Sequence, residues 1–344
     1  YTRMNTVLLG KTGITANKNG FGALPIQRIP EKEAIYLLQK AYDGGINLFD
    51  TARFYTDSAE KIGKAFKGIR AKVIITSKTM AITASGFRKD LETTLRNLQT
   101  DYLDLYQFHN PEFCPKPDDG SGLYEAMNEA VQCGYVRHTG ITNHRLAVAH
   151  EAIESGLYET LQFPFCYLSG EKELELVKKC AINNIGFIAM KALSGGLITN
   201  SAAAYAFISQ YENVLPIWGM QREKELDEFL DYANHPPVMN REINCFIEKE
   251  RNELKGEFCR GCGYCMPCPS GIEINNCARM SLLLRRSPAE LQLTQEVQKK
   301  MKMIEECIHC DQCSTKCPYG LDTPTLLQKN YEDYKNVLAG KTIV

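Results

Sequence analysis

Cysteines in the last third of the chain have a spacing that suits inorganic clusters. The run CIHCDQCSTKCP contains Cys307, Cys310, Cys313 and Cys317, and Pro318 follows the last of them. A C-x2-C-x2-C turn wraps three sulfurs around one side of an iron–sulfur cube, and the fourth thiolate comes from elsewhere in the chain. Zinc also accepts four thiolates, but two zinc sites would more naturally pair separate C-x2-C halves. The spacing therefore favours 4Fe-4S clusters over zinc.

A near copy of this run begins at residue 259. The sequence CRGCGYCMPCP supplies Cys259, Cys262, Cys265 and Cys268 ahead of Pro269, with two residues before the last cysteine where the later run has three. Both runs end in the same Cys-Pro pair. The duplication predicts two clusters in one module.

Together the two runs resemble two-cluster ferredoxin domains of the helical kind that sit beside larger oxidoreductase domains. In that resemblance, the cysteine that closes each run ligates the other cluster. One cluster is assigned to Cys259, Cys262, Cys265 and Cys317. The other is assigned to Cys307, Cys310, Cys313 and Cys268, with Cys277 either spare or an alternative to Cys268.

Four polar residues nearer the N-terminus could polarise a carbonyl group. Asp50 and Tyr55 lie in INLFDTARFY, Lys78 ends VIITSK, and His109 ends DLYQFH. A phenol has a reference pKa near 10, so Tyr55 needs a cation such as Lys78 beside it to release its proton at neutral pH. Asp50 can hold Lys78 in an ion pair, and His109 can orient a carbonyl oxygen. Each residue alone has a structural explanation, but jointly they indicate an acid–base site.

The elements that must position these residues are strand-like runs that alternate with helical patterns between Gly20 and Tyr232. The eight runs are GFGAL, INLFDTA, KVIITSK, YLDLYQFH, YVRHTGITN, TLQFPF, IGFIAM and VLPIW. Eight alternations over roughly 220 residues predict an α/β fold, a (β/α)8 TIM barrel whose strand ends form the catalytic face. A doubly wound sheet is the rival, although no G-x-G-x-x-G follows any strand.

Strand signals stop after the eighth run. We predict a barrel over residues 1–238, and a connecting helix with a small, mainly helical two-cluster domain over residues 239–344. Within that domain, the sequence RRSP at 285–288 predicts a break between two helical stretches.

The polar residues in FDTARFY, TSK and YQFHNP resemble the Asp-Tyr-Lys-His tetrad of the aldo-keto reductases, over roughly residues 6 to 232. This resemblance implies a barrel that uses NAD(P)H to reduce a small carbonyl-type substrate. It also implies that Asp50, Tyr55, Lys78 and His109 are catalytic.

The same resemblance assigns contacts with the nucleotide. Asn143 in GITNH and Gln162 in QFPF match the residues that bind the nicotinamide carboxamide, with Thr142 where serine is usual. Met190 stands where an aromatic residue usually stacks on the nicotinamide, and it can cover the ring more softly. The segment along the pyrophosphate is matched by Leu193, Gly195 and Gly196.

Residues after the eighth strand bear on the choice between NADH and NADPH. The segment WGMQREKELDEF, with Gly219, Gln221 and Glu225, occupies the place of the adenosine 2′-phosphate site. NADP-dependent members tend to have basic residues there, because a cation neutralises the phosphate. Glu225 would repel that phosphate and accept hydrogen bonds from ribose hydroxyls, which slightly favours NAD(H). Arg222 and Lys224 are near enough in sequence to leave NADP(H) open.

Charge and hydropathy exclude several classes of partner. The 40 Lys and Arg residues nearly balance 41 Asp and Glu residues, and no long block of one sign appears. This argues against nucleic acid or a membrane surface as the main partner. No apolar run reaches the length of a membrane span, and the first residues lack the apolar region of a signal peptide. We expect a cytoplasmic protein.

The two halves perform different electron chemistry. A nicotinamide transfers a hydride, which is two electrons at once, whereas a 4Fe-4S cluster moves one. A flavin, a ferredoxin or flavodoxin partner, or a substrate that forms a stabilised radical would have to mediate. Six basic residues of the tail either dock an acidic partner or form a solvated helix face: Arg279, Arg285, Arg286, Lys299, Lys300 and Lys302.

The sequence therefore predicts an oxidoreductase of an anaerobe, in which the barrel reduces a carbonyl or related group and the tail supplies or receives electrons. The alternative is an electron-transfer subunit whose barrel is mainly a docking scaffold for a redox partner.

Overall fold

Strands dominate the first part of the computed structural model, which describes residues 6–254, 258–286 and 289–344. In chain order they are β1 (Thr6–Leu8), β2 (Thr15–Asn17), β3 (Gly20–Gly22), β4 (Leu48–Asp50), β5 (Ile74–Thr79), β6 (Leu103–His109), β7 (Val136–Thr142), β8 (Thr160–Pro164), β9 (Gly186–Met190) and β10 (Val214–Gly219). Strands β3 to β10 coincide with the eight predicted runs.

These eight strands form a closed parallel barrel. Each pairs with the next in chain order, and β10 pairs with β3 to complete the circle. The prediction of a (β/α)8 barrel is confirmed, and the rival doubly wound sheet is wrong. Because all eight strands are parallel, their carboxyl ends share one rim, where Asp50 ends β4 and His109 ends β6.

A short antiparallel hairpin, β1 with β2, precedes the barrel and was not predicted from the sequence. Its buried residues Val7 and Ala16 join one apolar cluster with inward-facing strand residues such as Leu48, Ile188 and Leu215. The hairpin therefore buries apolar side chains of the barrel strands and adds to the core.

Helices follow the strands and continue beyond them. They are α1 (Glu31–Asp43), α2 (Ser58–Ala65), α3 (Ala84–Leu98), α4 (Leu123–Gln132), α5 (Leu146–Ser155), α6 (Glu171–Ile182), α7 (Ser201–Ser209), α8 (Glu223–Asn234), α9 (Arg241–Glu253), α10 (Ile274–Cys277), α11 (Met280–Arg286), α12 (Ala289–Gln292), α13 (Gln295–Lys302), α14 (Gln312–Lys316) and α15 (Thr323–Leu338). None of the described helices is long and apolar enough to cross a lipid bilayer.

Local signals explain several helix ends. Thr83 accepts a hydrogen bond from the Gly86 amide at the start of α3, and Asp322 does the same for Thr325 at the start of α15. Such caps satisfy amides that have no partner within the helix. Helix α9 lies where the connecting helix was predicted. The helix break was predicted at RRSP, and residues 287–288 of that sequence fall outside the described residues.

The chain divides into two compact units, and the division differs from the predicted boundary at residue 238. The first unit comprises residues 1–192 and 202–247, and the second comprises 193–201 and 248–344. Most of α9 thus belongs to the first unit. The segment Leu193–Ser201, which comes shortly after the end of β9 in the chain, belongs to the second unit.

The second unit has its own apolar core, although it contains no strand among its described residues. Buried residues that form this core include Ile274, Leu284, Met301, Leu327 and Tyr334. Cysteines of both runs pack against it, namely Cys259, Cys265, Cys268, Cys307 and Cys313. The thiols therefore lie on a helical framework.

The seam that closes the barrel depends on one buried amide. The Asn19 side chain accepts a hydrogen bond from Trp218 Nε1 of β10 at 3.0 Å and donates one to the Phe229 carbonyl of α8 at 3.1 Å. Asn19→Ala would leave the buried Trp218 N–H without its partner, whereas the Phe229 carbonyl keeps its hydrogen bond within α8, so the cost is roughly 1–3 kcal/mol of unfolding free energy.

This loss should appear as a lower urea midpoint in the fluorescence of Trp218, the sole tryptophan. Asn234→Ala is the control, because its amide bonds the Leu230 carbonyl on an exposed surface, where most substitutions change stability by less than about 0.5 kcal/mol. Equal midpoints for the two variants would contradict the role of Asn19.

Candidate active site and thiol pockets

A buried ion pair stands where β4 and β5 reach the rim. Asp50 pairs in register with Thr76, and Lys78 lies two residues further along β5, on the same face of the sheet as Thr76. Lys78 Nζ is 2.6 Å from Asp50 Oδ2, and Thr76 Oγ1 donates to Asp50 Oδ1 at 2.5 Å. Both side chains of the pair are at most 2% exposed. The Thr51 carbonyl accepts a second hydrogen bond from Lys78 Nζ, at 2.7 Å.

Burial and charge act in opposite directions on this lysine. Burial lowers the pKa of Lys78, and the Asp50 carboxylate opposes that effect. A buried ammonium without its carboxylate would be strongly destabilised. Asp50 is therefore the group that keeps a positive charge at this position.

Tyr55 and His109 lie beside the ion pair, so the structure brings all four predicted residues together. Lys78 Nζ is 5.2 Å from the centroid of the Tyr55 ring. The Tyr55 and His109 rings meet edge to face, with centroids 6.0 Å apart. His109 is buried and Tyr55 is half-buried. The phenol is thus the more accessible acid of the group.

His109 stays neutral at working pH. Burial, followed by the nearby charge of Lys78, lowers the pKa of His109 to about 3. A neutral imidazole can donate a hydrogen bond from one nitrogen but carries no charge to give away. This favours His109 as an orienting group.

Sequence reasoning missed three residues that support the site. Thr76 holds Asp50, and its position two residues before Lys78 in a strand was a usable signal. Gln107 Nε2 donates to Gln162 Oε1 at 2.8 Å. His144 is buried, and burial, followed by the charge of Lys191, lowers its pKa well below the usual value.

The predicted carboxamide contacts lie at the ends of β7, β8 and β9. Gln162 Nε2 is 3.8 Å from Met190 Sδ, so these two predicted residues touch. Asn143 is fully buried and donates from Nδ2 to the Pro111 carbonyl at 2.8 Å. Its Oδ1 accepts from the His144 and Arg145 amides. Asn143 therefore uses its side-chain oxygen and one N–H for hydrogen bonds within the protein.

Glu225 has a structural task at the predicted 2′-phosphate position. Its Oε2 accepts hydrogen bonds from the Gln221 and Arg222 amides, at 3.0 and 3.1 Å, at the start of α8. Gly219 is exposed, and a Cβ there would lie 3.1 Å from Pro25 Cγ. The carboxylate that was expected to contact ribose is thus engaged in helix capping.

Two pockets in the second unit are lined by the cysteine runs. The first, called the inner pocket, has about 350 Å³ of empty space including its mouth. Its cysteines are Cys259, Cys262, Cys265 and Cys317. The second, called the outer pocket, has about 370 Å³. Its cysteines are Cys265, Cys268, Cys307, Cys310 and Cys313.

The chemistry of these donors fits iron–sulfur cubes. Each pocket is lined by at least four cysteines. Among the described residues, no three His, Cys, Asp or Glu side chains meet closely enough to hold a single ion. A cube spreads its thiolates more widely than a single zinc does, because each sulfur binds a different iron. Burial raises the pKa of Cys265 to about 12, so cluster assembly must release its proton.

Cys277 lines neither pocket. It is 1% exposed within the helical core, and its Sγ lies 3.7 Å from the Lys300 carbonyl. The alternative that exchanged Cys277 for Cys268 is therefore disfavoured.

Several of the tail's basic residues make contacts inside the second unit. Arg285 forms a two-point ion pair with Asp333, and Lys300 pairs with Glu273 and Glu296. The expectation of a basic docking face gains no support from these residues.

Comparisons with known proteins agree with both halves of this description. The model of the aldo/keto reductase family matches residues 18–203. The model of a 4Fe-4S dicluster domain matches residues 258–322.

Curated relatives resemble the barrel. The aldo-keto reductase YhdN of Bacillus subtilis is 30% identical over 215 residues, which are 57% of this chain and 64% of that protein. The L-galactose dehydrogenase of Arabidopsis thaliana is 27% identical over 218 residues, 58% and 68% of the two chains. The chain thus spans about two thirds of the length of these relatives.

Solved structures share the fold. The holo form of aldo-keto reductase AKR11C1 from Bacillus halodurans aligns with a TM-score of 0.64 at 20% identity, over 72% of this chain and 96% of that one. An aldo-keto reductase from Klebsiella pneumoniae in complex with NADPH aligns with a TM-score of 0.62 at 21% identity, over 72% and 94%.

The low pKa of His109 predicts how barrel stability depends on pH. Below about pH 6.5 the unfolded chain binds a proton on this imidazole, whereas the folded barrel does not until the pH nears 3. The free energy of unfolding should therefore fall by about 1.4 kcal/mol per pH unit from this residue as the pH drops through that window.

The check is the urea midpoint of Trp218 fluorescence between pH 7 and pH 5, for the parent and for His109→Gln. The variant should lose less stability on acidification. Parallel pH profiles for the two proteins would show that His109 is not held neutral.

Proposed function

The chain belongs to the aldo/keto reductase family, and from this premise we propose that its barrel reduces a small carbonyl or related group with NAD(P)H. The observation that supports this proposal best is the buried pair of Lys78 and Asp50, with the Lys78 ammonium 5.2 Å from the Tyr55 ring. A cation fixed in that position stabilises a phenolate, which is what a tyrosine acid needs at neutral pH.

Each residue of the proposed tetrad has a separate task. A bound reduced nicotinamide supplies the hydride for the carbonyl carbon. Tyr55 gives its proton to the carbonyl oxygen, and Lys78 stabilises the phenolate that remains. Asp50 keeps Lys78 charged and immobile through the 2.6 Å ion pair. Neutral His109 donates a hydrogen bond that orients the carbonyl oxygen.

The nucleotide is proposed to lie along the ends of β7 to β10. Asn143 can offer its remaining N–H to the carboxamide oxygen, and Met190 can cover the nicotinamide ring. Residues Leu193 to Leu197, with Gly195 and Gly196, are proposed to follow the pyrophosphate. Glu225 is engaged with helix amides, so it is a weaker obstacle to a 2′-phosphate than the sequence suggested, and either NAD(H) or NADP(H) fits the proposal.

The second unit is proposed to bind two 4Fe-4S clusters and to exchange single electrons. The inner pocket would hold one cluster through Cys259, Cys262, Cys265 and Cys317. The outer pocket would hold the other through Cys307, Cys310, Cys313 and Cys268. The outer pocket is lined by Ile308, which is 65% exposed, and by exposed Cys310, which favours it as the place where a ferredoxin or flavodoxin partner exchanges electrons.

The role of Tyr55 can be tested with Tyr55→Phe, which removes the proton and leaves the ring. NADH- or NADPH-dependent reduction of carbonyl compounds should fall by roughly a hundred- to ten-thousand-fold. The visible absorption of the clusters should not change. Tyr36→Phe, on the exposed face of α1, is the control and should keep parental rates. A near-parental rate for Tyr55→Phe would exclude Tyr55 as the acid.

The cluster ligands can be tested by iron and sulfide analysis of anaerobically purified protein. The parent should contain about eight irons, four per cluster. Cys310→Ala should lose about half of them, and Cys277→Ala, in the apolar core, should keep them all. Zinc in place of iron, or equal losses in both variants, would contradict the proposed ligand sets. Any pigment released on denaturation would identify a flavin.

A further inference from the structure

The segment Leu193–Ser201 has an unusual backbone that neighbouring side chains must stabilise. Three successive residues, Ser194, Gly195 and Gly196, have positive φ angles of 50°, 63° and 95°. Only glycine adopts such angles without cost, so the backbone at Ser194 is strained. The second unit supplies the groups that hold this segment in place.

Two arginines at the ends of α11 bind carbonyl groups of the segment. Arg279 Nη1 donates to the Gly195 carbonyl at 2.9 Å, and Arg286 Nε donates to the Leu197 carbonyl at 2.7 Å. Arg286 also pairs with Glu250. Charged donors make stronger hydrogen bonds than neutral ones, so these arginines can set the path of the segment.

Arg279 also packs against the turn that carries ligands of the inner pocket. A Cβ at Gly195 would lie 3.0 Å from Arg279 Nη1, and a Cβ at Gly261 would lie 2.7 Å from Arg279 Cζ. The Gly261 amide in turn donates to Cys259 Sγ at 3.3 Å. One guanidinium group therefore touches both the segment and the ligand turn.

The second cysteine run shows why Gly261 is glycine. His309 occupies the position in CIHC that Gly261 occupies in CRGC, and it has nearly the same backbone, with φ 51° against 64°. The turn itself thus accepts a side chain. A Cβ at Gly261 would push the Arg279 guanidinium group away, so glycine at this position permits the contact with Arg279.

We propose that Arg279 is a positioning residue that couples anion binding at Leu193–Ser201 to the redox state of the cluster in the inner pocket. The inference rests on the proposed function, which assigns this segment to the pyrophosphate and the inner pocket to a cluster. Reduction adds one negative charge beside Arg279, and a pyrophosphate adds negative charge near the same cation. Each anion draws the Arg279 guanidinium group toward itself and away from the other anion, so each weakens the binding of the other, and linkage makes the effect reciprocal.

The experiment uses the protein with both clusters assembled, and ADP-ribose and its 2′-phosphate as probes. These probes contain the pyrophosphate but no nicotinamide, so they cannot transfer a hydride. Their dissociation constants are measured by calorimetry with the clusters oxidised and after reduction by dithionite. We expect binding to be about tenfold weaker after reduction. The midpoint potential of one cluster, followed by electron paramagnetic resonance, should then fall by about 59 mV when the probe saturates.

Arg279→Gln should abolish both effects while the iron content stays parental. Arg285→Gln is the matched control, because Arg285 lies in α11, which Arg279 immediately precedes, but pairs with Asp333, and it should keep both effects. Arg279→Lys retains the charge, so it serves if Arg279→Gln does not assemble its clusters. The coupling in Arg279→Lys should be weaker than in the parent, because an ammonium group is too compact to contact both the Gly195 carbonyl and the turn at Gly261.

The outcomes separate the two proposals. Equal affinity in both redox states would overturn the coupling and leave the nucleotide site intact. No binding in either state would overturn both. Parental coupling in both Arg279 variants would remove Arg279 from the proposal.

Discussion

The chemistry of the barrel depends on a charge kept out of water. Lys78 and Asp50 are both buried, and an ammonium group retains its proton in such a place only if a carboxylate accompanies it. The barrel makes this pairing by strand register, since Asp50 lies opposite Thr76 and Lys78 follows two residues later on the same face. A half-buried phenol beside the pair then experiences a fixed positive charge in a region of low dielectric constant. Without that register, the four polar residues at the rim would be ordinary strand-end side chains.

The second unit solves a different problem, because thiolates are poorly stable where they are buried. Burial raises the pKa of Cys259 and Cys265, and it does the same for Cys313. Metal ions compensate for this cost by binding the deprotonated sulfurs. The helical core beneath the cysteines supplies the rigidity that such ligands need, and Cys277 belongs to that core. The same small set of helices therefore supports both pockets.

The sequence predicted the barrel well because its signals are local and repeated. Eight β-branched runs alternate with amphipathic helices, and the parallel order leaves few arrangements other than a closed barrel. Spacing alone also identified the cysteines that line the two pockets. The hairpin β1–β2 was missed because three-residue strands leave almost no periodicity. Contacts between residues that are distant in sequence could not be predicted either. Nothing near Leu193 in the sequence indicates that Arg279 and Arg286 bind its segment. Likewise, nothing near Glu225 distinguishes a role in helix capping from a role in ribose binding. Roles that depend on hydrogen bonds between residues far apart in the sequence can be seen only in the folded structure.

The two cysteine runs share left-handed turns at matching positions, yet their surroundings differ. The inner run has glycine where a guanidinium group packs, and a second arginine, Arg260, lies over the rings of Phe258 and Tyr319. The outer run has His309 and Asp311 at the corresponding places, on an exposed surface. Two cubes of identical composition would therefore not be equally easy to reduce, since nearby cations favour the added electron. If each pocket holds a cube, an added electron would reside preferentially on the one beside these arginines, so the two sites would differ in electron affinity.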